Sequence, residues 1–274
     1  MFIVLLKLPF LLTSNMLVSD NFLYIATGPQ LIKYDLINQT SRNYYYFDRC
    51  GSFECFPFCV GKLRDSIILG TSGGLLSLSN STFNVISNKP VTWCEDVITV
   101  SEIYRDMRNV ITYGEALDEN LKTIYKGCAV YTASGDYYSL VCNDTYYLRT
   151  PYGSIKIDSP ALITRSNEYV GVLTLSGRVM IFRGNEIAYQ GQLPTPTPPY
   201  FINASNGEFL LTGGGRVYLW KDGKLYASNL TNVLQAVWYG NNLLVMQLSN
   251  NELIIGLVKD VEWRAVGKKV TNQP

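Results

Sequence analysis

Short apolar runs, each broken by a tight turn of Gly, Ser, Asn or Asp, recur along the whole chain. Leu23-Tyr24-Ile25-Ala26-Thr27-Gly28 leads into Leu31-Ile32-Lys33-Tyr34, and Ile67-Ile68-Leu69-Gly70 passes through Gly73-Gly74 into Leu75-Leu76-Ser77-Leu78. The same pattern returns at Ala129-Val130-Tyr131 through Gly135 into Tyr137-Tyr138-Ser139-Leu140, and again over residues 170–182, 209–220 and 243–257. Apolar runs of strand length bounded by turn residues predict β-hairpins, with glycine supplying the positive φ that tight turns require. The turn centres fall near Gly28, Gly73, Gly135, Gly177, Gly214 and Asn250, and the last four are 42, 37 and 36 residues apart. That period is the length of a four-stranded antiparallel unit with its turns. The best-written unit reads as strands at 200–204, 209–212, 217–221 and 224–228, and the unit before it as 162–165, 169–175, 179–183 and 186–190.

Many of these strands are apolar at consecutive positions, which suits sheets covered on both faces better than sheets with one wet face. Small sheets stacked face to face meet that requirement. The expected fold is therefore all-β: a single β-propeller domain over residues 1–274, with about six, or else seven, four-stranded antiparallel blades. Residues 88–126 break the rhythm, because Gly73 and Gly135 are 62 residues apart. They hold either a degenerate seventh blade or an insertion, with 115–126 as a polar loop or short helix; six blades with an insertion is the reading taken. Residues 261–266 are expected to complete the last blade, with residues 2–8 as an additional or shared strand. The run Leu193-Pro194-Thr195-Pro196-Thr197-Pro198-Pro199 reads as a connection between blades, since strand units flank it.

Composition narrows the function. Hydrophobic residues are 47% of the chain and charged residues 16%, enough apolar material for a core and too little charge for disorder. The 23 Lys and Arg nearly cancel the 22 Asp and Glu, a net charge of +1, so the basic footprint of a nucleic-acid binder is missing. There is no histidine, which excludes every mechanism that needs an imidazole as base, nucleophile partner or metal ligand. The apolar amino-terminal stretch is interrupted by Lys7 and Pro9, has no basic start and no small-residue cleavage site, and reads as a sheet strand rather than a signal or anchor. No segment has the length of a membrane span.

Six cysteines, Cys50, Cys55, Cys59, Cys94, Cys128 and Cys142, lie in the first half. They are candidates for three disulfides, with fifteen possible pairings, or for buried thiols; Cys50, Cys55, Cys59 and Cys94 are a weaker candidate for a thiolate metal site. Sequons at Asn38, Asn80, Asn143, Asn203 and Asn229 fall at expected turns or strand ends and mark candidate glycosylation sites. Gly70-Thr71-Ser72-Gly73-Gly74 matches a serine-hydrolase pattern but joins two strands in a chain without histidine, so it is a hairpin turn. Gly213-Gly214-Gly215-Arg216 lacks the Lys-Ser/Thr and the helix of a phosphate loop, and is read the same way.

Tyr44-Tyr45-Tyr46-Phe47, Tyr137-Tyr138 and Tyr146-Tyr147 are either packing between blades or a tyrosine-rich recognition surface, with packing the first reading. The carboxylates Glu95, Asp96, Asp118 and Glu119, with Asp35, Asp48, Asp136 and Asp158 near strand ends, offer the chain's only route to catalysis; solvated turn charge is the simpler reading.

Taken together, the units resemble the β-propeller superfamily of WD40, kelch and quinoprotein-like repeats, without the signature residues of any subgroup. In general composition the chain also resembles proteins of hyperthermophilic archaea and their viruses. The expected function is a non-catalytic binding or structural module on a cell or virion surface, engaging a protein partner or a surface glycan, with no cofactor, metal, nucleic acid or membrane span. Its expected contact segment is the irregular stretch, at Arg105, Asp106, Met107, Arg108, Asp118, Glu119 and Lys122, because long loops on rigid scaffolds tend to carry binding. The alternatives are a carboxylate-dependent glycosidase or lyase at a central channel, and a cytoplasmic assembly scaffold.

Overall fold

A computed structural model describes residues 2–9, 13–49, 55–106 and 109–267. Their regular structure is β-strand throughout, apart from two single-turn 3₁₀ segments. Strand β1 (Phe2–Lys7) pairs only with the far end of the chain. The first blade is β2 (Leu17–Ser19), β3 (Phe22–Thr27), β4 (Gln30–Asp35) and β5 (Thr40–Tyr45). The second is β6 (Pro57–Leu63), β7 (Ser66–Thr71), β8 (Gly74–Ser79) and β9 (Thr82–Ser87). The third is β10 (Val91–Cys94), β11 (Ile98–Asp106), β12 (Asn109–Leu117) and β13 (Thr123–Gly127). The fourth is β14 (Ala129–Ser134), β15 (Tyr137–Cys142), β16 (Thr145–Thr150) and β17 (Gly153–Ile157). The fifth is β18 (Ala161–Ser166), β19 (Tyr169–Thr174), β20 (Arg178–Arg183) and β21 (Glu186–Gln192). The sixth is β22 (Phe201–Ser205), β23 (Glu208–Gly213), β24 (Arg216–Lys221) and β25 (Lys224–Ser228). The seventh is β26 (Val233–Tyr239), β27 (Leu243–Leu248) and β28 (Glu252–Leu257), completed by β1 beside β28; β29 (Trp263–Ala265) returns to the sixth as a fifth strand beside β25.

The fold is thus an all-β propeller of seven antiparallel blades, and the irregular stretch is a full blade rather than an insertion. Residues 115–126, expected as a polar loop or short helix, are the end of β12, a turn and β13. The sequence reading allowed this seventh blade but leaned to an insertion, because it aligned the wrong hairpin. In the first, second, fifth, sixth and seventh blades, the marked turn joins the second strand to the third. The Gly135 turn instead joins the first strand of its blade to the second. The equivalent turn of the fourth blade is Asn143-Asp144, whose φ values of 47° and 60° belong to a tight hairpin. Gly73 and Gly177 are 104 residues apart, and two intervening turns divide that span into steps of about 35 residues, so the period never fails. At the carboxyl end, residues 261–266 do not complete the last blade; β29 lies on the outer edge of the sixth.

The described residues form two compact units, residues 7–163 and residues 1–6 with 164–274, and each is built by the same rule. The first strand of a blade has a sheet neighbour on one side only, so its free edge must find partners outside the sheet. In the 7–163 unit, Asn15 donates its amide N–H to the Val60 carbonyl at 3.1 Å and accepts the Val60 N–H at 2.8 Å. The Ser101 hydroxyl does the same for Val130, donating at 2.7 Å and accepting at 3.1 Å. Ala161 donates its N–H to Ser139 Oγ at 2.8 Å and accepts from Thr132 Oγ1 at 2.6 Å. In the other unit, the Trp238 N–H donates to Asn203 Oδ1 at 3.1 Å. Each bond ties one blade to the next without adding a strand.

Close approach and covalent bonds complete the join. The Cys59–Cys94 disulfide links β6 to β10, with Cα atoms 5.8 Å apart, inside an apolar cluster of Ile68, Leu75, Val91, Ile98 and Val100. The Cys128–Cys142 disulfide binds the entry of β14 to the end of β15. Cys55 is also disulfide-bonded, and Cys50 lies outside the described residues. The reading of these cysteines as thiolate metal ligands is therefore replaced by cystines, as is the reading as free thiols for the five described. Gly61 sits where a Cβ would stand 1.7 Å from the Cys94 carbonyl oxygen, so the second and third blades meet there backbone to backbone.

Two substitutions test this account by thermal or urea unfolding. Gly61→Ala should cost about 2 kcal/mol or more through the clash with rigid backbone, whereas Gly267→Ala, with no heavy atom within 4 Å, should be neutral. Ser139→Ala should cost about 1–3 kcal/mol, because it leaves the buried Ala161 N–H without an acceptor.

Candidate interaction surface

Adjacent residues of a strand point to opposite faces, and the run Tyr44–Phe47 uses that fact to divide its aromatics. Tyr46 is fully buried. Its hydroxyl donates to the Gly28 carbonyl, its ring packs edge-on against Phe83 at 5.8 Å, and burial pushes its phenol pKa upward. Its neighbours turn outward: Tyr45 is 67% exposed and Phe47 46%. Farther along the connection into the second blade, Phe56 is 48% and Phe58 46% exposed. Of the five exposed aromatic side chains among the described residues, these are four; Tyr152 is the fifth.

The Phe56 N–H donates to Ser72 Oγ at 2.9 Å, and the Ser72 N–H returns a bond to the Phe56 carbonyl at 3.0 Å. Phe47 opens a 3₁₀ turn with Asp48 and Arg49, which form an exposed ion pair at 3.8 Å. Beside them lies a cleft of about 290 Å³ lined by Tyr45, Phe47, Asp48, Arg49, Ser81, Thr82 and Phe83. β9 extends the apolar character with exposed Val85 and Ile86. The result is an amphipathic surface with aromatic anchors, a charged rim and hydroxyls within reach, the composition that protein interfaces concentrate at their centres.

The residues first expected to make contact are not brought together. Met107 and Arg108 lie outside the described residues, and Arg105 and Asp106 belong to the end of β11. Asp118, Glu119 and Lys122 lie beyond the other end of β12, a strand of nine residues, about 30 Å away at roughly 3.3 Å per residue. Asp118 serves the turn itself: its Oδ1 accepts the N–H groups of Asn120 and Lys122, both at 2.9 Å. Other carboxylates are also structural. Asp96 accepts from Ser134 Oγ at 3.1 Å and from the Gly135 N–H at 2.8 Å. Asp35 accepts from Ile37 and from both nitrogens of Asn38, and these bonds, led by the Asn38 N–H, hold its pKa below the usual carboxylate value. Among the described residues no group of three His, Cys, Asp or Glu could hold a metal ion, and no helix is long and apolar enough to cross a membrane.

The sequence reading weighed the Tyr44–Phe47 run but passed over Phe56 and Phe58. The signal for them is alternation: Cys55, Pro57 and Cys59 are buried while Phe56 and Phe58 are exposed. An apolar run whose two phases differ this way looks, in sequence, like a strand buried on both faces.

No protein-family model matches the sequence, and none of the curated proteins matches it. Solved structures do match in fold. The chain is similar to PorZ, described as an essential bacterial surface component of the type-IX secretion system of Porphyromonas gingivalis, with 11% identity and a TM-score of 0.59. That match covers 98% of this chain and 39% of PorZ, so the chain spans well under half of that relative's length. The WD40 β-propeller domain of Doa1 matches with 10% identity and a TM-score of 0.57, over 94% of this chain and 98% of the domain. The computationally designed Ika8 protein matches with 10% identity and a TM-score of 0.56, over 93% of this chain and 99% of its own. At such identities the likeness shows the propeller fold alone. It lends no support to the compositional resemblance to archaeal or viral proteins.

Of the five sequons, Asn38, Asn80, Asn143 and Asn229 are exposed, whereas Asn203 is half-buried in β22 with its Oδ1 taking the Trp238 N–H. If the chain is secreted from a glycosylating host, glycopeptide mass spectrometry of the folded fraction should find Asn203 unmodified. A glycan there would show that β22 does not join β26 in this way.

Proposed function

We propose that the chain is a non-catalytic, protein-binding propeller working at an extracellular or particle surface, and that Tyr45, Phe47, Phe56 and Phe58 anchor its partner. Four outward aromatics, Tyr45 and Phe47 at the end of the first blade and Phe56 and Phe58 at the start of the second, carry the reading. Leaving such side chains in water forgoes the burial that the same residue types enjoy elsewhere in the fold, and exposed aromatics of this kind mark binding sites. Rigid aromatic rings anchor protein interfaces at low entropic cost.

Two further observations support the compartment. The cystines Cys59–Cys94 and Cys128–Cys142 persist in oxidising surroundings and favour that setting over a reducing cytoplasm. One structural relative is a bacterial surface component, which agrees with the same placement. The non-catalytic part of the reading is supported by the work Asp96, Asp118 and Asp35 already do in holding turns.

The test is cross-linking and affinity capture with the protein at its native source, comparing the wild type with Tyr45→Ala/Phe47→Ala. Both side chains are exposed, so unfolding stability should stay within about 0.5 kcal/mol of wild type, while affinity for the captured partner should fall at least about tenfold. Undiminished capture by the double variant would place the partner elsewhere.

A further inference from the structure

Every blade leaves the outer edge of its last strand open, and proteins commonly guard such edges with charge. Among the described residues, six of the seven outermost strands follow that rule: exposed Arg42 stands on β5, Lys126 on β13, Lys156 on β17, Glu186 on β21, Arg264 on β29 and Lys7 on β1. β9 is the exception. It carries no charge and no proline, and its Val85 and Ile86 are 46% and 37% exposed.

The backbone of β9 is set to pair. Asn80 and Ser81, with φ values of 48° and 67°, form the two-residue turn before it, and such a turn leaves its flanking residues, Ser79 and Thr82, as a hydrogen-bonded pair. Bonded and non-bonded pairs alternate along an antiparallel ladder, so Phe83 opposite Leu78 and Val85 opposite Leu76 turn their N–H and C=O groups away from β8. Among the described residues no group takes up these outward donors and acceptors. In the 164–274 unit the chain fills an equivalent edge from its own length. There β29 lies on β25, with Ala265 opposite Tyr226 and Trp263 opposite Ser228, and the Val266 N–H donates to the Leu225 carbonyl at 2.8 Å. The edge of a blade in this fold therefore accepts a further antiparallel strand.

A second copy of β9 completes the pattern on its own. When two such strands run antiparallel about a two-fold axis at Asn84, Phe83 of each lies opposite Val85 of the other. Both are the outward-turned residues, so each of these two pairs exchanges two backbone hydrogen bonds and no outward group is left over. Apolar side chains meet across both pairs, and no charge faces its own kind. Asn84 meets its copy in the central pair, where a side-chain amide both donates and accepts. The charged outer strands each bring a guard into the same position. We propose that the protein forms a two-fold dimer in which the β9 strands pair edge to edge and join two second blades into one continuous sheet. Neither the axis nor the register uses any of the four exposed aromatics, so the dimer stands apart from the partner site above.

Sedimentation velocity of the full-length protein from about 1 to 300 µM, the range in which small interfaces dissociate, tests the dimer. The weight-average mass should rise from that of one chain toward that of two. Val85→Lys puts a guarding charge on the edge and should weaken association at least about tenfold, with the fold unchanged because Val85 is exposed. Ile124→Lys, at an equally exposed position on the outer strand of the third blade, should change nothing. Asn84→Cys reads the register: side chains of a central non-bonded pair lie closest, so mild oxidation should link two chains through it, and should not do so through Thr82→Cys. A protein that stays a single chain across that range, a dimer that Val85→Lys leaves intact, or the absence of a cross-link in Asn84→Cys overturns the pairing. Self-association is scored on Val85→Lys and partner capture on Tyr45→Ala/Phe47→Ala, so either can fail without the other.

Discussion

The structure depends on satisfying one edge of one strand, repeated from blade to blade. A four-stranded sheet solves the backbone hydrogen bonding of its two middle strands and leaves its first strand with a free edge. Burying that edge beside the neighbouring blade removes water as a partner, so side chains must serve instead. Asn15, Ser101, Ser139 with Thr132, and Asn203 are the solutions visible here. Each is a short polar side chain whose reach ends at the backbone it serves. Each fixes a blade in position as well as in contact, which apolar packing alone does not do. The glycines belong to the same constraint: Gly61 lets the Cys94 backbone approach where any larger residue would hold it off.

Much of this architecture was legible in the sequence because it is local. Hairpins depend on neighbours, and the expected strands of the fifth and sixth blades match the observed ones within one or two residues at nearly every end. What failed was alignment between repeats. Gly135 looks like the marker glycines of the other blades, but it joins the first strand to the second, while Asn143-Asp144 does the equivalent work without glycine. Asn and Asp tolerate the same left-handed conformation, so the chemistry of the turn was conventional and only its lettering differed. The closing strands were legible in part: residues 2–8 were expected in the last blade and lie there, whereas residues 261–266 were expected there and lie against the sixth. The pairings of β1 with β28 and of β29 with β25 are non-local, and no periodicity within a short window encodes them.

The surface was less legible than the fold. Periodicity separates buried from exposed positions only where the exposed ones are polar. Tyr45 beside Tyr46, and Phe56 and Phe58 beside Cys55 and Cys59, are apolar on both sides of the strand. Only the fold reveals that one side meets solvent.

The place of β1 in the seventh blade has a consequence for how the molecule is made. Phe2–Lys7 lies six blades upstream of Glu252–Leu257, so this strand waits for all of them to be made before it can pair. Until then it carries Ile3 and Val4, exposed even in the finished fold, on an unpaired β-edge of the kind that recruits other chains. The seventh blade therefore closes only once β28 has been made, and the nascent protein is most open to misassociation in the interval before that. A factor that sheltered a few residues at the amino terminus would then govern the yield of the entire fold.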